Sequence, residues 1–159
     1  MTTRAVRGIA LYQVIAGAWG LADPAKGMFV SAHTGGQYTL AVLVTALMVA
    51  SIVAGVLLWR GSRQGRALSR AVQAVQIPVV ASKWVVYSVT LGLACVVGIR
   101  GQGPSAWAGL GPYVTIGFTP LTYVPQLSIN IVPLILWRLL RPSGAPEKRA
   151  DEAMARAAA

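Results

Sequence analysis

Long uncharged apolar runs alternate with short basic clusters along this chain. The clearest run covers residues 38–59 (YTLAVLVTALMVASIVAGVLLW), which carries no charge, ends in Trp59 and is followed by Arg60. About 20 apolar residues are enough to cross a bilayer as a helix. Tryptophan and arginine are typical of the membrane–water interface. The pattern therefore predicts a transmembrane helix over 38–59.

The first apolar run, residues 5–22, is shorter. Its uncharged part would rise only about 22 Å as a helix, so Arg4 and Arg7 must extend back to the surface if it is to span. The alternative is a secretory signal, with a basic start, a short apolar middle and small residues before a cleavage site. Gln13 and Trp19 make a poor signal core, so we expect a span over 5–22.

Two further apolar stretches, 77–99 and 121–140, complete a prediction of four spans. The last contains Pro125 and Pro133, which membrane helices tolerate when neighbours satisfy the exposed carbonyl groups. The predicted organisation is a four-helix transmembrane domain over 1–141, followed by a flexible cytoplasmic tail over 142–159.

Charge supports this layout. The 159 residues are 55% hydrophobic and only 11% charged, with a mean hydropathy of +0.61, whereas soluble domains carry about 25% charged residues. Basic loops mark the cytoplasmic side of a membrane protein. We therefore predict an all-α bundle of four transmembrane helices in a bacterial inner membrane, with both termini cytoplasmic. Eleven basic residues fall on the predicted inner side: Arg4, Arg7, Arg60, Arg63, Arg66, Arg70, Arg138, Arg141, Lys148, Arg149 and Arg156.

The predicted outer side carries only Lys26 and Arg100, and Lys83 falls inside the third span. The outer loop between the third and fourth helices, residues 101–120, is rich in glycine and proline and has no charge. Polar and apolar residues alternate over 113–124, which indicates an irregular loop that could contain a β-hairpin. An inert connector and a ligand-binding or re-entrant loop both fit this sequence.

A polar stripe marks the third predicted helix. On a helical wheel the aliphatic residues fall on one side and the polar residues on the other. The polar side contains Ser69, Arg70, Gln73, Gln76, Lys83, Tyr87 and Thr90. An ionisable residue within a membrane is a candidate functional group, although Lys83 could instead extend to the surface. Amides at membrane depth either join helices or line a polar path. The candidate intramembrane site comprises Lys83, Gln73, Gln76, Gln13, Asn130 and Gln126.

Catalytic chemistry has little support in the sequence. His33 is the single histidine and Cys95 the single cysteine, and the four acidic residues are Asp23, Glu147, Asp151 and Glu152. No spacing typical of a metal site, a nucleophilic triad or a phosphate loop occurs. We predict no catalytic residues, no metal and no cofactor, with His33 solvated. Nucleic acid is not expected, because the basic residues are spread between apolar runs.

Four segments, LYQVIAG, AGVLLWRG, ALSRAVQAVQIP and SINIVPLILW, resemble small bacterial inner-membrane proteins with four spans and no assigned activity. The resemblance covers most of the chain outside the tail. It implies the layout of the spans and an irregular outer loop before the last helix, and it implies no activity.

The sequence therefore predicts a non-catalytic membrane subunit or scaffold that acts through helix–helix association. Its expected partners are the lipid bilayer and either further copies of itself or another membrane protein. The alternative is a small transporter or channel, in which the candidate polar residues around Lys83 line a path for anions.

Overall fold

The computed structural model describes residues 3–22, 34–117 and 124–141, which form helices at both ends of the chain and a sheet between them. The four helices are α1 (Thr3–Ala22), α2 (Gly35–Trp59), α3 (Arg63–Val75) and α4 (Ile131–Leu139). The six strands are β1 (Pro78–Ala81), β2 (Val86–Thr90), β3 (Leu93–Arg100), β4 (Gly103–Leu110), β5 (Tyr113–Gly117) and β6 (Gln126–Asn130).

Helices α1 and α2 pack as an antiparallel hairpin whose closest contacts occur at glycines. A Cβ atom at Gly17 would lie 2.7 Å from the carbonyl oxygen of Met48, and one at Gly55 would lie 2.7 Å from that of Ala10. Such distances are too short for any side chain, so the two backbones can approach only because glycine occupies these positions. The predicted helices over 5–22 and 38–59 thus correspond to α1 and α2.

Helix α3 runs back along α2. Ser62 caps its first turn, and a Cβ atom at Gly65 would overlap the backbone at Leu57 and Leu58. Two turns later Val72 reaches Met48, in the middle of α2. The helix ends at Val75 because a proline follows at position 78, and the residue before a proline disfavours the helical conformation.

The six strands form one antiparallel sheet in the order β4-β3-β6-β1-β2-β5, and short connections force it to curl. Strands β2 and β3 would be about 14 Å apart in a flat sheet, yet Leu91 and Gly92, which join them, span at most about 11 Å. The two edge strands, β4 and β5, are likewise joined only by Gly111 and Pro112. Their ends are therefore close, and Trp107 lies edge-on to Tyr113 with ring centroids 6.5 Å apart.

The strand register assigns each residue to the inner or outer face of the curled sheet. The inner face carries small and polar side chains, among them Val79, Ala94, Val96, Thr90, Ser128 and Asn130, which are all buried. On the outer face Val89 is buried, and Val114 packs against the helical core. The part of this face on β3, β4 and β6 is apolar and largely exposed. We call it the outer arc, formed by Leu93, Val97, Ile99, Leu110, Leu127 and Ile129.

The prediction of an all-α bundle of four transmembrane helices is wrong, because most of the second half of the chain is sheet. The third predicted span, 77–99, forms β1, β2 and nearly all of β3. The described part of the fourth, 121–140, forms β6 and the nine-residue helix α4. Hydropathy measures the length of an apolar run and not its period. Pro78 and Gly92 interrupt a run rich in β-branched residues, which favours strands over one long helix.

The predicted outer loop, 101–120, contains β4 and β5 instead of irregular chain. Strand β5 pairs with β2, so residues 113–117 are extended as expected but do not pair within a local hairpin. Several predictions concern residues outside the described ranges: the rest of that hairpin, the tail over 142–159, the loop residue Lys26, and the assignments of Asp23 and His33.

Candidate functional site

The charged residues of the described ranges lie at two ends of the molecule. Eight arginines lie at or near one end of the helical unit, and we call this end the arginine end. It is formed by the start of α1, the end of α2, the start of α3 and the end of α4. A buried cluster of Ile9, Ala10, Leu58 and Leu140 holds these termini together. The arginines are Arg4, Arg7, Arg60, Arg63, Arg66, Arg70, Arg138 and Arg141.

Two tryptophans lie among these arginines. The guanidinium carbon of Arg7 lies 5.6 Å from the ring centroid of Trp59. Arg70 and Arg141 lie 4.9 and 5.3 Å from the ring of Trp137. Cation–π contacts of this kind orient the guanidinium groups. Because none of the four acidic residues falls in the described ranges, this part of the chain offers no carboxylate to these guanidinium groups.

Lys83 and Arg100 carry the remaining described charges, and both lie at the end of the sheet away from the helices. Lys83 is exposed in the turn between β1 and β2, with its Nζ 5.0 Å from the ring centroid of Trp84. Arg100 is exposed where β3 turns into β4. The opposite end of the sheet contains the turn at Leu91 and Gly92, which packs on the middle of α1 and α2.

A layer of buried polar side chains lies between the charged ends, where α1, α2 and α3 meet. Ser69 donates a hydrogen bond from Oγ to Oε1 of Gln13 at 2.7 Å, and Ser51 donates to the backbone oxygen of Gln13 at 3.1 Å. These three residues are almost fully buried. Buried polar groups stabilise a fold only when they are paired, and this set joins three helices through one glutamine.

The same layer joins the helices to the sheet. The backbone N–H of Leu91 donates to Oε1 of Gln76 at 2.8 Å, while Nε2 of that side chain donates to Val72 at 3.0 Å. The hydroxyl of Tyr12 donates to the oxygen of Leu91 at 2.8 Å and accepts from the N–H of Leu93 at 3.1 Å. The turn between β2 and β3 is therefore held by side chains from both α1 and α3.

Asn130 provides a third connection, inside the sheet. Its Oδ1 accepts from the N–H of Cys95 at 3.1 Å, and its Nδ2 donates to Oγ1 of Thr90 at 3.4 Å. Thr90 is in β2 and Asn130 is in β6, and β1 separates these strands. The contact thus crosses the inner face of the curled sheet. At the other end of β6, Nε2 of Gln126 donates to Oγ of Ser128 on the same strand at 3.1 Å.

Two buried polar atoms of α3 have no hydrogen-bond partner in the described part of the chain: Oε1 of Gln73 and Nε of Arg70. Gln73 is 1% exposed. An unpaired acceptor at such a position costs about 1–3 kcal/mol. At the end of α3, the backbone oxygen of Val75 accepts a hydrogen bond from the hydroxyl of Tyr87 on β2.

The structure separates the six predicted site residues into distinct settings. Gln13, Gln73 and Gln76 are buried at the helical junction, Asn130 is buried within the sheet, and Gln126 lies on β6 near the far end of the sheet. Lys83 is exposed on a turn, and no hydrogen bond among the described residues joins it to the others. The predicted site omitted the connecting partners Tyr12, Ser69 and Thr90. Ser69 and Thr90 were on the predicted polar stripe, and Ser69 precedes Gln73 by one helical turn, whereas Tyr12 was not singled out.

Two helices of the described ranges are long and apolar enough to cross a membrane, Arg4–Ala22 and Gly35–Trp59. Only 33% of the most apolar window of each is buried within the chain. Ile15 and Leu43 are 57% and 62% exposed. A core helix of a soluble protein would bury most of such a surface, so the hairpin presents an apolar exterior that the rest of the described residues does not cover.

No protein-family model, curated protein or solved structure matches this chain. Within the described ranges no three histidine, cysteine or acidic side chains come together as a metal site would require. The interpretation of the site therefore rests on its own geometry: an arginine end, a paired polar layer and an apolar exterior.

Proposed function

We propose that this chain is an integral membrane subunit, held in the bilayer by α1 and α2, which acts without catalysis by packing against a second copy or another membrane protein. The observation that carries the proposal is the separation of charge. All ten described basic residues belong to the arginine end or to the far turns of the sheet, and the exposed surface between them is apolar.

The dimensions suit a bilayer. A helix rises 1.5 Å per residue, so α2 is about 37 Å long and α1 about 30 Å, against a hydrocarbon core of about 30 Å. Helix α3 begins at the arginine end and reaches only the middle of α2. The sheet extends from that level toward Lys83 and Arg100, so it would lie largely in the opposite leaflet and its surface.

The sheet has two features that favour a position in lipid. Backbone polar groups must be paired in the hydrocarbon region, and the ladders pair β3, β6, β1 and β2 on both sides, while the edge strands β4 and β5 approach each other at their joined ends. The outer arc carries only apolar side chains, whereas the inner face carries Thr90, Ser128 and Asn130 beside the buried apolar Val79, Ala94 and Val96. The exposed face of a soluble antiparallel sheet is usually polar, and the outer arc is not. By the positive-inside rule, the arginine end would face the cytoplasm.

Association is supported by one exposed stripe of α2. Val42, Ala46, Val49 and Val53 recur at helical spacing, are exposed, and include no charged or long side chain. Small and β-branched residues allow membrane helices to approach closely. The glycines Gly17 and Gly55 are already used within the α1–α2 hairpin, so this stripe is the surface that we expect to meet a second copy.

Membrane insertion is tested by cysteine labelling in proteoliposomes, in a Cys95→Ser background. We expect a water-soluble maleimide to label Arg66→Cys and Lys83→Cys from opposite sides of the bilayer. Leu43→Cys and Leu127→Cys should resist it, although these side chains are 62% and 70% exposed in the isolated chain. Rapid labelling of the two leucine positions would contradict insertion.

Self-association is tested by Förster resonance energy transfer between copies that carry donor and acceptor dyes, while added lipid dilutes the protein in the bilayer. Transfer that persists upon dilution, and that falls in Ala46→Trp but not in Ala18→Trp, would support the stripe. Ala18 is the matched control because it is an exposed alanine on α1. Transfer that falls to the level of random encounters in the unaltered chain would exclude self-association and leave a different membrane protein as the partner. The alternative of a transporter gains no support, since Lys83 lies apart from the buried amides.

A further inference from the structure

We infer that the arginine end holds one anionic phospholipid, with an acyl chain in a groove between α1 and α2 and its phosphate on Arg7 and Arg60. This inference rests on the proposed insertion into a membrane. It gives the proposed subunit a specific lipid ligand in addition to its packing against another chain.

The groove has the shape and chemistry of an acyl-chain site. Its volume is about 280 Å³, which suits a segment of one chain and falls below the usual size of a site for a complete small molecule. Gly55 touches Ala10 at its floor, where the two helices are closest. Leu11, Val56 and Trp59 form its apolar walls.

The positive charge lies at one end of the same groove. Arg60 is part of the lining, and Arg7 lies over the ring of Trp59, which forms one wall. Both arginines therefore lie at the end of the groove that contains Trp59, at the point where α1 begins and α2 ends. Guanidinium groups bind phosphate oxygens through paired N–H donors, so an anionic diester fits this end.

An anionic lipid is favoured over a side chain of a partner protein because two separate features meet at one place. The groove opens on the surface that would face lipid, where Leu11 is 52% exposed. Its charged end coincides with the level of the headgroups if α1 and α2 span the bilayer. Basic residues at this level attract anionic lipids, and an apolar groove continuous with them selects a ligand that carries a chain.

The test is titration of the purified chain in neutral detergent micelles with phosphatidylglycerol or phosphatidylcholine, followed by native mass spectrometry. We expect tight, stoichiometric binding of one phosphatidylglycerol, with the R7Q/R60Q double variant about tenfold weaker. The R66Q/R138Q double variant removes the same charge from the same end but away from the groove, and should change affinity less than twofold. Equal losses in both variants would reduce the site to general electrostatic attraction and overturn the inference.

A second variant tests the groove itself. Val56→Trp should fill the groove and lower affinity at least fivefold, whereas Leu43→Trp, at another exposed position of α2 that does not line the groove, should not. Circular dichroism would verify that both variants keep their helices. Excess inorganic phosphate should not displace the lipid, and displacement would indicate a site for small anions instead. If lipid fails to bind while the labelling pattern of insertion holds, only this inference falls.

Discussion

Ser69 on α3 donates a hydrogen bond of 2.7 Å to the side chain of Gln13 on α1, and neither residue exposes measurable surface. The contact connects two helices through residues that are 56 positions apart in the chain. Ser51 of α2 donates to the backbone of the same glutamine. One polar residue in an apolar helix thereby fixes how three helices meet.

Replacing Gln13 with leucine should test this connection. The substitution keeps the volume but leaves the hydroxyl of Ser69 with only the backbone oxygen of Ala54, at 3.5 Å, as an acceptor. We therefore expect the free energy of unfolding to fall by about 1–3 kcal/mol. Unfolding of the purified chain in mixed micelles, followed by circular dichroism, measures the change. Gln64→Leu is the control, because Gln64 is exposed on α3. A similar loss in both variants would show that the buried amide has no special role.

Glycine substitutions should separate close packing from helix propensity. Gly65→Ala places a methyl group against the backbone of Leu57 and Leu58, so we expect a loss of about 1–3 kcal/mol through overpacking. Gly8→Ala adds a methyl group with nothing within 4 Å and should stabilise α1 by about 0.5–1 kcal/mol. Thermal unfolding of the two variants should therefore shift in opposite directions, and a shift in the same direction would refute the close contact between α3 and α2.

The part of this fold that the sequence predicted is the part governed by length and charge. The segments 5–22 and 38–59 are helical, as their length and apolar character predicted. The gathering of Arg4, Arg7 and Arg60 with the arginines of α3 and α4 follows the same division between basic and apolar segments that assigned eleven basic residues to one side.

The sheet could not be predicted from the same signals. The hydropathy of a run such as 77–99 fits a transmembrane helix and also fits strands with an apolar outer face. Hydropathy alone therefore does not distinguish the two. Strand pairing here joins segments far apart in sequence, such as Val97 with Ile129. The helical wheel failed for a related reason, because it continued through Pro78 and grouped Lys83 with residues of α3. Of that stripe, Ser69, Arg70 and Gln73 lie on one helix, and Gln76 caps its end.

Tyr12 should control how firmly the sheet is attached to the helices. Phenylalanine at this position removes the donor to Leu91 and the acceptor for the N–H of Leu93, so both backbone groups lose their partner. We expect a loss of about 1–3 kcal/mol together with faster hydrogen exchange at Leu93. Tyr38→Phe, on the exposed start of α2, should leave both quantities unchanged. Unaltered exchange at Leu93 in Tyr12→Phe would show that the turn is held by other contacts.

Lys83 and Asn130 provide the sharpest contrast between what composition suggests and what geometry supports. A lysine within an apolar run is the more conspicuous residue, yet it lies exposed on a turn beside Trp84. Lys83→Met should therefore change stability by less than about 1 kcal/mol, the value of an exposed cation–π contact. Asn130→Leu should cost about 1–3 kcal/mol, because the N–H of Cys95 loses its acceptor inside the sheet. Chemical denaturation in micelles measures both. A larger loss for Lys83→Met than for Asn130→Leu would mean that the lysine, and not the asparagine, organises this half of the molecule.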